Sequence, residues 1–512
     1  MSLRLAPDEV ADVTLLLEGT YPYVSGGVSS WVHQIIRGLP ELRFALVFLG
    51  GERESYPRLR YELPENVVHL EEHFLGDAPR TQRVVRRPGD AAFYAESAVL
   101  HDELARSDAG AGPAPPAACL DAALDRVAAM LLDDPARHEE DFLSSEAAWD
   151  RICARYDLTS RSRSFLEYFW TVRSMHAPLF LMAKIAARLP ASRAYHVVST
   201  GYAGLLGALA RKKHGRPLVL TEHGIYAKER RIELLQATWI HEDDDTADAS
   251  GIGFFRQRWI RFFEALARMA YAAADPIVAL YEGNQRRQIA DGAEPSRTRI
   301  VPNGIDLPRF SALRSARAVG VPKVLGLVGR VVPIKDIKTF IRAVRVLVAW
   351  MPDVEAWIVG PDDEDPSYAE ECKSLTRTLG LTEIVKFLGF QKTDEIFPRL
   401  GLNVLTSISE AQPLVVLEGF AAGVPCVSTD VGCVRELVCG ASPEDRARGA
   451  AGAVVEIASP EATARAAMDL LSDSDRWRAA QRAGIARVES MYTQDLMFDA
   501  YRGIYTNALA RS

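Results

Sequence analysis

Ser409-Glu410-Ala411-Gln412-Pro413-Leu414-Val415-Val416-Leu417-Glu418-Gly419 is the stretch around which this chain is organised. It follows an apolar run, Leu402–Leu405, that reads as a buried strand with Asn403 inside it. Proline is favoured at the first helical position because its missing N–H would be unpaired there anyway. A helix is therefore expected to begin near Pro413, with Glu410 on the loop before it and Glu418 in its second turn. The Leu414 and Val415 amides would then be free at the carboxyl end of the strand. With the helix dipole behind them they suit an anionic phosphate. One carboxylate lies beyond that anion and one beside it, which suits a sugar-nucleotide: Glu410 for sugar hydroxyls, Glu418 for ribose hydroxyls. Taken alone, the same spacing also describes an ordinary strand-to-helix turn with two solvated glutamates.

At 512 residues the chain is too long for one core, so two substantial domains are expected. Its 48% hydrophobic and 25% charged content is that of a soluble globular protein. A net charge of -8 argues against a general nucleic-acid binder. The 6 cysteines show no C-x-x-C spacing, which points to reduced, buried thiols rather than a zinc site or a disulfide framework. Residues 1–10 lack the apolar core of a signal peptide. No apolar run approaches the roughly eighteen residues needed to span a bilayer. A soluble, cytoplasmic protein without a transmembrane segment is expected.

In chain order, residues 13–17 read as a strand, followed by a loop containing Gly26-Gly27 and a helix with Trp31, Val32, Ile35, Ile36 and Leu39 at helical spacing. Strand, glycine turn and helix together bring backbone amides beside a ligand at the strand ends of an open α/β sheet. A plain tight turn fits the same residues, and the loop is not a G-x-G-x-x-G fingerprint. Residues 44–49 read as a second strand. From about 71 to 164 the pattern loosens into an insertion with helices at 122–132 and 146–156, a low-complexity linker at 107–116 and a local basic patch, Arg80, Arg83, Arg86 and Arg87. Strands resume at 194–200 and 217–221, the latter ending at Glu222-His223-Gly224, where a histidine would point into the ligand crevice. The acidic run 241–245 reads as solvated, and 254–271 as a helix whose aromatics pack on the sheet with its arginines outward. Residues 277–280 are a further strand and 311–322 an interdomain linker. The second series begins at Val324–Val328, with Arg330 and Lys335 on the next loop, both in reach of a diphosphate. Strands at 356–359 and Val385–Gly389 follow, the second leaving Phe390 at its exit to hold a base. Residues 362–365 read as a solvated turn rather than a metal-binding D-x-D. The chain ends in an amphipathic helix at 495–509.

Together these pieces resemble the family 4 retaining glycosyltransferases of GT-B architecture. The resemblance rests on Glu410 and Glu418, Gly329-Arg330 with Lys335, the Gly26-Gly27 loop, and Val301-Pro302-Asn303-Gly304-Ile305-Asp306. It covers residues 15–50 and most of 197–505. Residues 18–31, residues 221–226 and the long insertion are similar, more specifically, to the glycosyltransferases of bacterial Pel exopolysaccharide synthesis. The resemblance implies two Rossmann-like domains facing across a cleft. Residues 1–312 would form the acceptor-side domain, with the helical insertion at about 71–164, and 321–490 the nucleotide-sugar domain, with 491–512 a helix crossing back. It implies a UDP-sugar donor, no metal and no other cofactor, a polysaccharide acceptor and a membrane-embedded synthase as partner. Carried over by position, Arg330 and Lys335 would neutralise the diphosphate, Gly27 would donate an N–H to it, and Glu418 would bind the ribose. Glu410, with the amides near Leu414 and Val415, would hold the sugar, and His223 would contact it from the first domain. Two other readings remain: a UDP-sugar epimerase on a similar scaffold, and a non-catalytic sugar-nucleotide-binding scaffold of a synthase complex. A nicotinamide-dependent dehydrogenase ranks last, because the glycine fingerprint with its acidic ribose partner is missing.

Overall fold

Runs such as Val13-Thr14-Leu15-Leu16-Leu17 and Phe44-Ala45-Leu46-Val47-Phe48 are apolar almost without alternation, the mark of strands covered on both faces. The structure, a computed structural model, describes residues 3–6, 8–77, 87–96, 117–160, 163–240, 252–317 and 319–512. Among these the chain forms two compact units, residues 1–301 with 500–512, and residues 302–499.

The first unit holds a seven-stranded sheet in the order β3-β2-β1-β4-β5-β6-β7. Its strands are β1 (Ala11–Glu18), β2 (Phe44–Gly50), β3 (Val67–Phe74), β4 (Ser192–Val197), β5 (Leu218–Glu222), β6 (Ile277–Ala279) and β7 (Thr298–Ile300). Every pairing is parallel; Val13 of β1 sits between Phe44 and Ala194. The second unit has six strands in the order β10-β9-β8-β11-β12-β13: β8 (Val324–Val328), β9 (Glu355–Val359), β10 (Val385–Gly389), β11 (Leu402–Leu405), β12 (Cys426–Thr429) and β13 (Gly452–Val455). These too are all parallel. Strand order reverses between β1 and β4 in one unit and between β8 and β11 in the other. Such switch points open a crevice at the carboxyl ends of the strands.

Several expectations are corrected. β3 runs to Phe74, inside the segment assigned to the insertion; it is an edge strand whose His69, Glu71 and His73 hide the apolar pattern. The insertion's described helices are Ala91–Glu96, Ala117–Asp133, Pro135–Ser144 and Glu146–Thr159, and the long helix Phe165–Ala186 follows. Side chains of Asp134, Ser145 and Ser164 cap three of these helices by accepting backbone N–H groups. Arg87 pairs with Glu140 at 2.7 Å; the rest of the basic patch, the linker at 107–116 and the acidic run 241–245 lie outside the described residues. Phe255, Trp259, Phe262 and Phe263 of helix Phe254–Ala273 are buried mainly against helices Tyr202–His214, Tyr226–Gln236 and Ala117–Asp133. Its arginines are half-buried rather than outward, and Arg258 lies 4.7 Å from the Phe254 ring centre. The segment read as an interdomain linker belongs to the second unit. Arg314 donates to the Ala421 carbonyl and Arg317 to those of Phe397 and Leu400, and the chain divides earlier, between Val301 and Pro302.

Among the described residues no helix is long and apolar enough to cross a membrane, and no cluster of histidines, cysteines and carboxylates is arranged to hold a metal ion. Asp365 caps helix Pro366–Thr378, and Asp362 accepts from Lys373 at 2.7 Å.

Candidate active site

In the second unit the neighbouring strands β8 and β11 meet at the switch point, and both of their exit loops carry site residues. β11 is buried throughout, and Asn403 within it donates to the Val415 carbonyl at 2.8 Å, tying the strand to the helix that follows. That helix is Leu414–Ala421. Pro413 is its cap rather than its first residue, because a ψ of 106° leaves Pro413 extended. The Leu414 and Val415 amides have no acceptor among the described residues, as expected for the first turn of a helix.

Lys335 and Glu410 are brought together. The ammonium donates to Glu410 Oε1 at 2.5 Å, the Ser407 hydroxyl donates to the same oxygen at 2.8 Å, and both charged side chains are more than four-fifths buried. Two contacts hold the turn carrying Lys335 to the β11 exit: Thr406 Oγ1 donates to the Lys335 carbonyl at 3.0 Å, and the Ile408 amide donates to that of Ile334 at 2.9 Å. Gly432 holds the other side of the loop. Its φ of 53° is left-handed, and a Cβ there would stand 2.2 Å from the Ala411 carbonyl oxygen and 2.4 Å from that of Glu410. Gly432→Ala is expected to displace the Glu410 backbone and cost roughly 1–3 kcal/mol. An unchanged denaturation midpoint would refute this.

Arg330 is placed differently. Its guanidinium is half-exposed and donates to both oxygens of Glu364 at 2.6 Å, not to Glu410. Phe390, at the exit of β10, is 78% exposed. Glu418 is half-buried, and burial pushes its carboxyl up to about 7, with Arg309 opposing and Asp394 reinforcing the shift. Arg309 itself grips Asp394 through Nε at 3.0 and 3.2 Å. The sequence reading missed this pair; eighty-odd residues separate the two, and no local motif links them.

The first unit carries the other candidates. Gly26 caps helix Gly27–Gly38 in an extended conformation, and a Cβ on either glycine would meet nothing within 4 Å. Open space above two exposed amides at a helix start suits the approach of an anion. His223 follows β5 and is 8% exposed, edge-on to Trp31 with ring centres 4.7 Å apart. Neither ring nitrogen has a hydrogen-bond partner among the described residues, and burial pushes its pKa down to about 3, so the ring is neutral at working pH. Beside it Glu222, to which the sequence assigns no role, is buried and accepts from Thr200, the Tyr226 amide, Tyr271 and Gln288. Burial raises its pKa against those four donors.

Two doubly wound parallel sheets with phosphate-suited loops at their switch points define the GT-B class of glycosyltransferase fold. Solved structures of that class agree. Anabaena HepE in complex with UDP superposes with a TM-score of 0.57 at 14% identity, over 97% of this chain and 100% of that one. Sucrose-phosphate synthase from Thermosynechococcus elongatus gives 0.56 at 15%, over 98% and 100%. At those identities the likeness is one of fold. The chain belongs to the family described as "Domain of unknown function (DUF3492)", whose model matches residues 11–296, and residues 322–473 match "Glycosyl transferases group 1". Similar curated proteins include the D-inositol 3-phosphate glycosyltransferase of Actinosynnema mirum, 29% identical over 266 residues, which are 48% of this chain and 60% of that protein. The enzyme of the same name from Thermobispora bispora is 26% identical over 333 residues, 62% and 72% of the two chains. This chain thus spans about three-fifths of the first relative's length and somewhat more of the second's.

Proposed function

We propose that this protein is a retaining, metal-independent glycosyltransferase that moves a hexose or N-acetylhexosamine from a UDP-sugar onto a growing extracellular polysaccharide. The carrying observation is the Lys335–Glu410 contact set before the open Leu414 and Val415 amides at the β8/β11 switch point. The amides and Lys335 stabilise the charge that develops on the diphosphate leaving group, and Glu410 accepts from the sugar hydroxyls. Arg330 exchanges Glu364 for phosphate when the donor binds. Gly27 adds an N–H, His223 contacts the sugar as a neutral ring, Phe390 stacks on the base and Glu418 takes the ribose. Catalysis then rests on positioning and charge stabilisation, with the leaving phosphate assisting attack from the same face. The reading extends to PelF, the cytoplasmic glycosyltransferase of Pel exopolysaccharide synthesis, on the resemblance of residues 18–31 and 221–226. The protein then works at the cytoplasmic side beside a membrane-embedded synthase.

Calorimetric titration with UDP, GDP and ADP tests the donor. UDP is expected to bind selectively and to weaken in Glu418→Ala. Because a ribose hydroxyl donates to the ionised carboxylate, binding expels the Glu418 proton, and UDP affinity rises between pH 6 and 8. The folding sign is opposite. A carboxyl whose folded pKa lies near 7, above the ordinary glutamate value of 4.5, favours the native state in its protonated form. That contribution is complete below the unfolded pKa and fades as pH rises through 7, so Glu418→Gln should gain Tm over the parent as pH increases. Equal affinity at both pH values, or binding of another nucleotide in preference, would overturn the donor assignment.

A further inference from the structure

Helix Phe165–Ala186 carries Pro178 in its interior. Proline has no N–H, so the carbonyl four residues earlier, that of Ser174, loses its helical donor. Ser174, Ala177, Pro178 and Leu181 lie on one helical stripe, at i, i+3, i+4 and i+7. The stripe walls a cavity of about 530 Å³, within the range of sites that hold small organic ligands. The facing wall is the carboxyl edge of the first unit's sheet, with Gly51 and Glu52 beyond β2 and Glu72 and Phe74 at the end of β3. Tyr202, opening the helix after β4, brings the cavity to the β1/β4 switch point, where open α/β sheets take ligands. Three carboxylates, Glu52, Glu72 and Glu139, stand against one ammonium, Lys184, which is bonded to Glu139 at 2.6 Å. Arg53, 3.8 Å from Glu72, adds a second cation just outside the lining.

We infer that this cavity is an acceptor subsite for a neutral, polyhydroxylated oligosaccharide. The apolar face of a sugar ring packs on the Ala177, Pro178 and Leu181 stripe. Ring hydroxyls donate to the released Ser174 carbonyl and to the Glu52 and Glu72 carboxylates. The carboxylate excess repels uronic acids and phosphorylated sugars, so the site selects by charge as well as shape. The assignment rests on the transferase reading above for its role as acceptor site, but its binding chemistry stands on the cavity alone.

Saturation-transfer NMR on the full chain, with cellotriose, maltotriose and chitotriose as probes, tests it. At least one is expected to bind the parent protein and to be lost in Ala177→Trp, whose indole covers the apolar stripe and obstructs the cavity, while UDP affinity by calorimetry stays within about twofold. Glu52 is exposed, so its substitution tests the site without a folding risk. Glu52→Lys is expected to shift the preference between cellotriose and its glucuronic-acid-terminated counterpart by about tenfold or more toward the acid. The assignment falls if no trisaccharide binds the parent, or if binding and charge preference survive both substitutions. Trisaccharide binding with these substitution effects but no UDP binding would instead sink the transferase reading and leave the glycan site standing.

Discussion

Lys335→Met is expected to lower transfer from a UDP-sugar by about 10²- to 10³-fold, the loss typical of removing one group that stabilises transition-state charge. Methionine keeps the aliphatic stem, so the effect isolates the ammonium. In the free protein that ammonium neutralises Glu410, which is otherwise held by Ser407. Without it, an uncompensated carboxylate faces the incoming diphosphate, and donor affinity should fall along with turnover. Arg330→Ala should act more weakly and mainly on KM, because the half-exposed guanidinium gives up its contact with Glu364 in order to bind phosphate. A charge-assisted hydrogen bond is worth roughly 1.5–3 kcal/mol, and that exchange returns only part of it. Steady-state kinetics on both variants, with circular dichroism to confirm folding, decide the matter. Retained activity in both would remove the diphosphate assignment altogether.

What the sequence made legible was the local part of this arrangement. Strand, loop and helix around Glu410 are written in eleven consecutive residues, and the observed helix starts one residue after the expected point. The carboxylate–amide geometry follows from that element. Contacts between distant segments were not legible. Arg309 and Asp394 near Glu418, and the four donors around Glu222, are brought together by the strand order, and no spacing announces them. β3 was overlooked because an edge strand tolerates charge on one face. Helix Phe165–Ala186 is hidden for the opposite reason: its ten buried residues share one face, but Leu166 and Trp170 stand exposed on the other, and apolar residues on both faces blur the helical period. Arg330 shows a further limit. Its sequence position beside Lys335 suggests a joint role, yet the turn Pro333–Lys335 directs the two cations to different carboxylates.

Arg487→Met is expected to destabilise the second unit by about 3–5 kcal/mol, the usual cost of removing one partner from a buried ion pair. Arg487, on helix Ser474–Met491, has no exposed surface, and its side chain is completely committed. Nε donates to Asp445 Oδ1 and Oδ2 at 2.8 and 3.0 Å, Nη1 to the Leu437 and Val438 carbonyls, and Nη2 to those of Asp445 and Gly449. Those carbonyls close helix Val434–Cys439 and the turn leading into β13, so one guanidinium satisfies the end of a helix, a buried carboxylate and a turn at once. Methionine matches the stem but leaves the buried Asp445 carboxylate without its cation and takes a donor from each of the four carbonyls, of which those of Val438 and Asp445 keep the Ala451 and Arg448 amides. Lysine is not expected to rescue, because a point charge on a flexible stem cannot reproduce the planar fork. Removing both charges in Asp445→Asn/Arg487→Met should recover part of the loss, since the uncompensated carboxylate is then gone. Urea denaturation of the three variants separates these terms. A loss below about 1 kcal/mol for Arg487→Met, the level of an exposed pair, would show that the network contributes little to the stability of the fold.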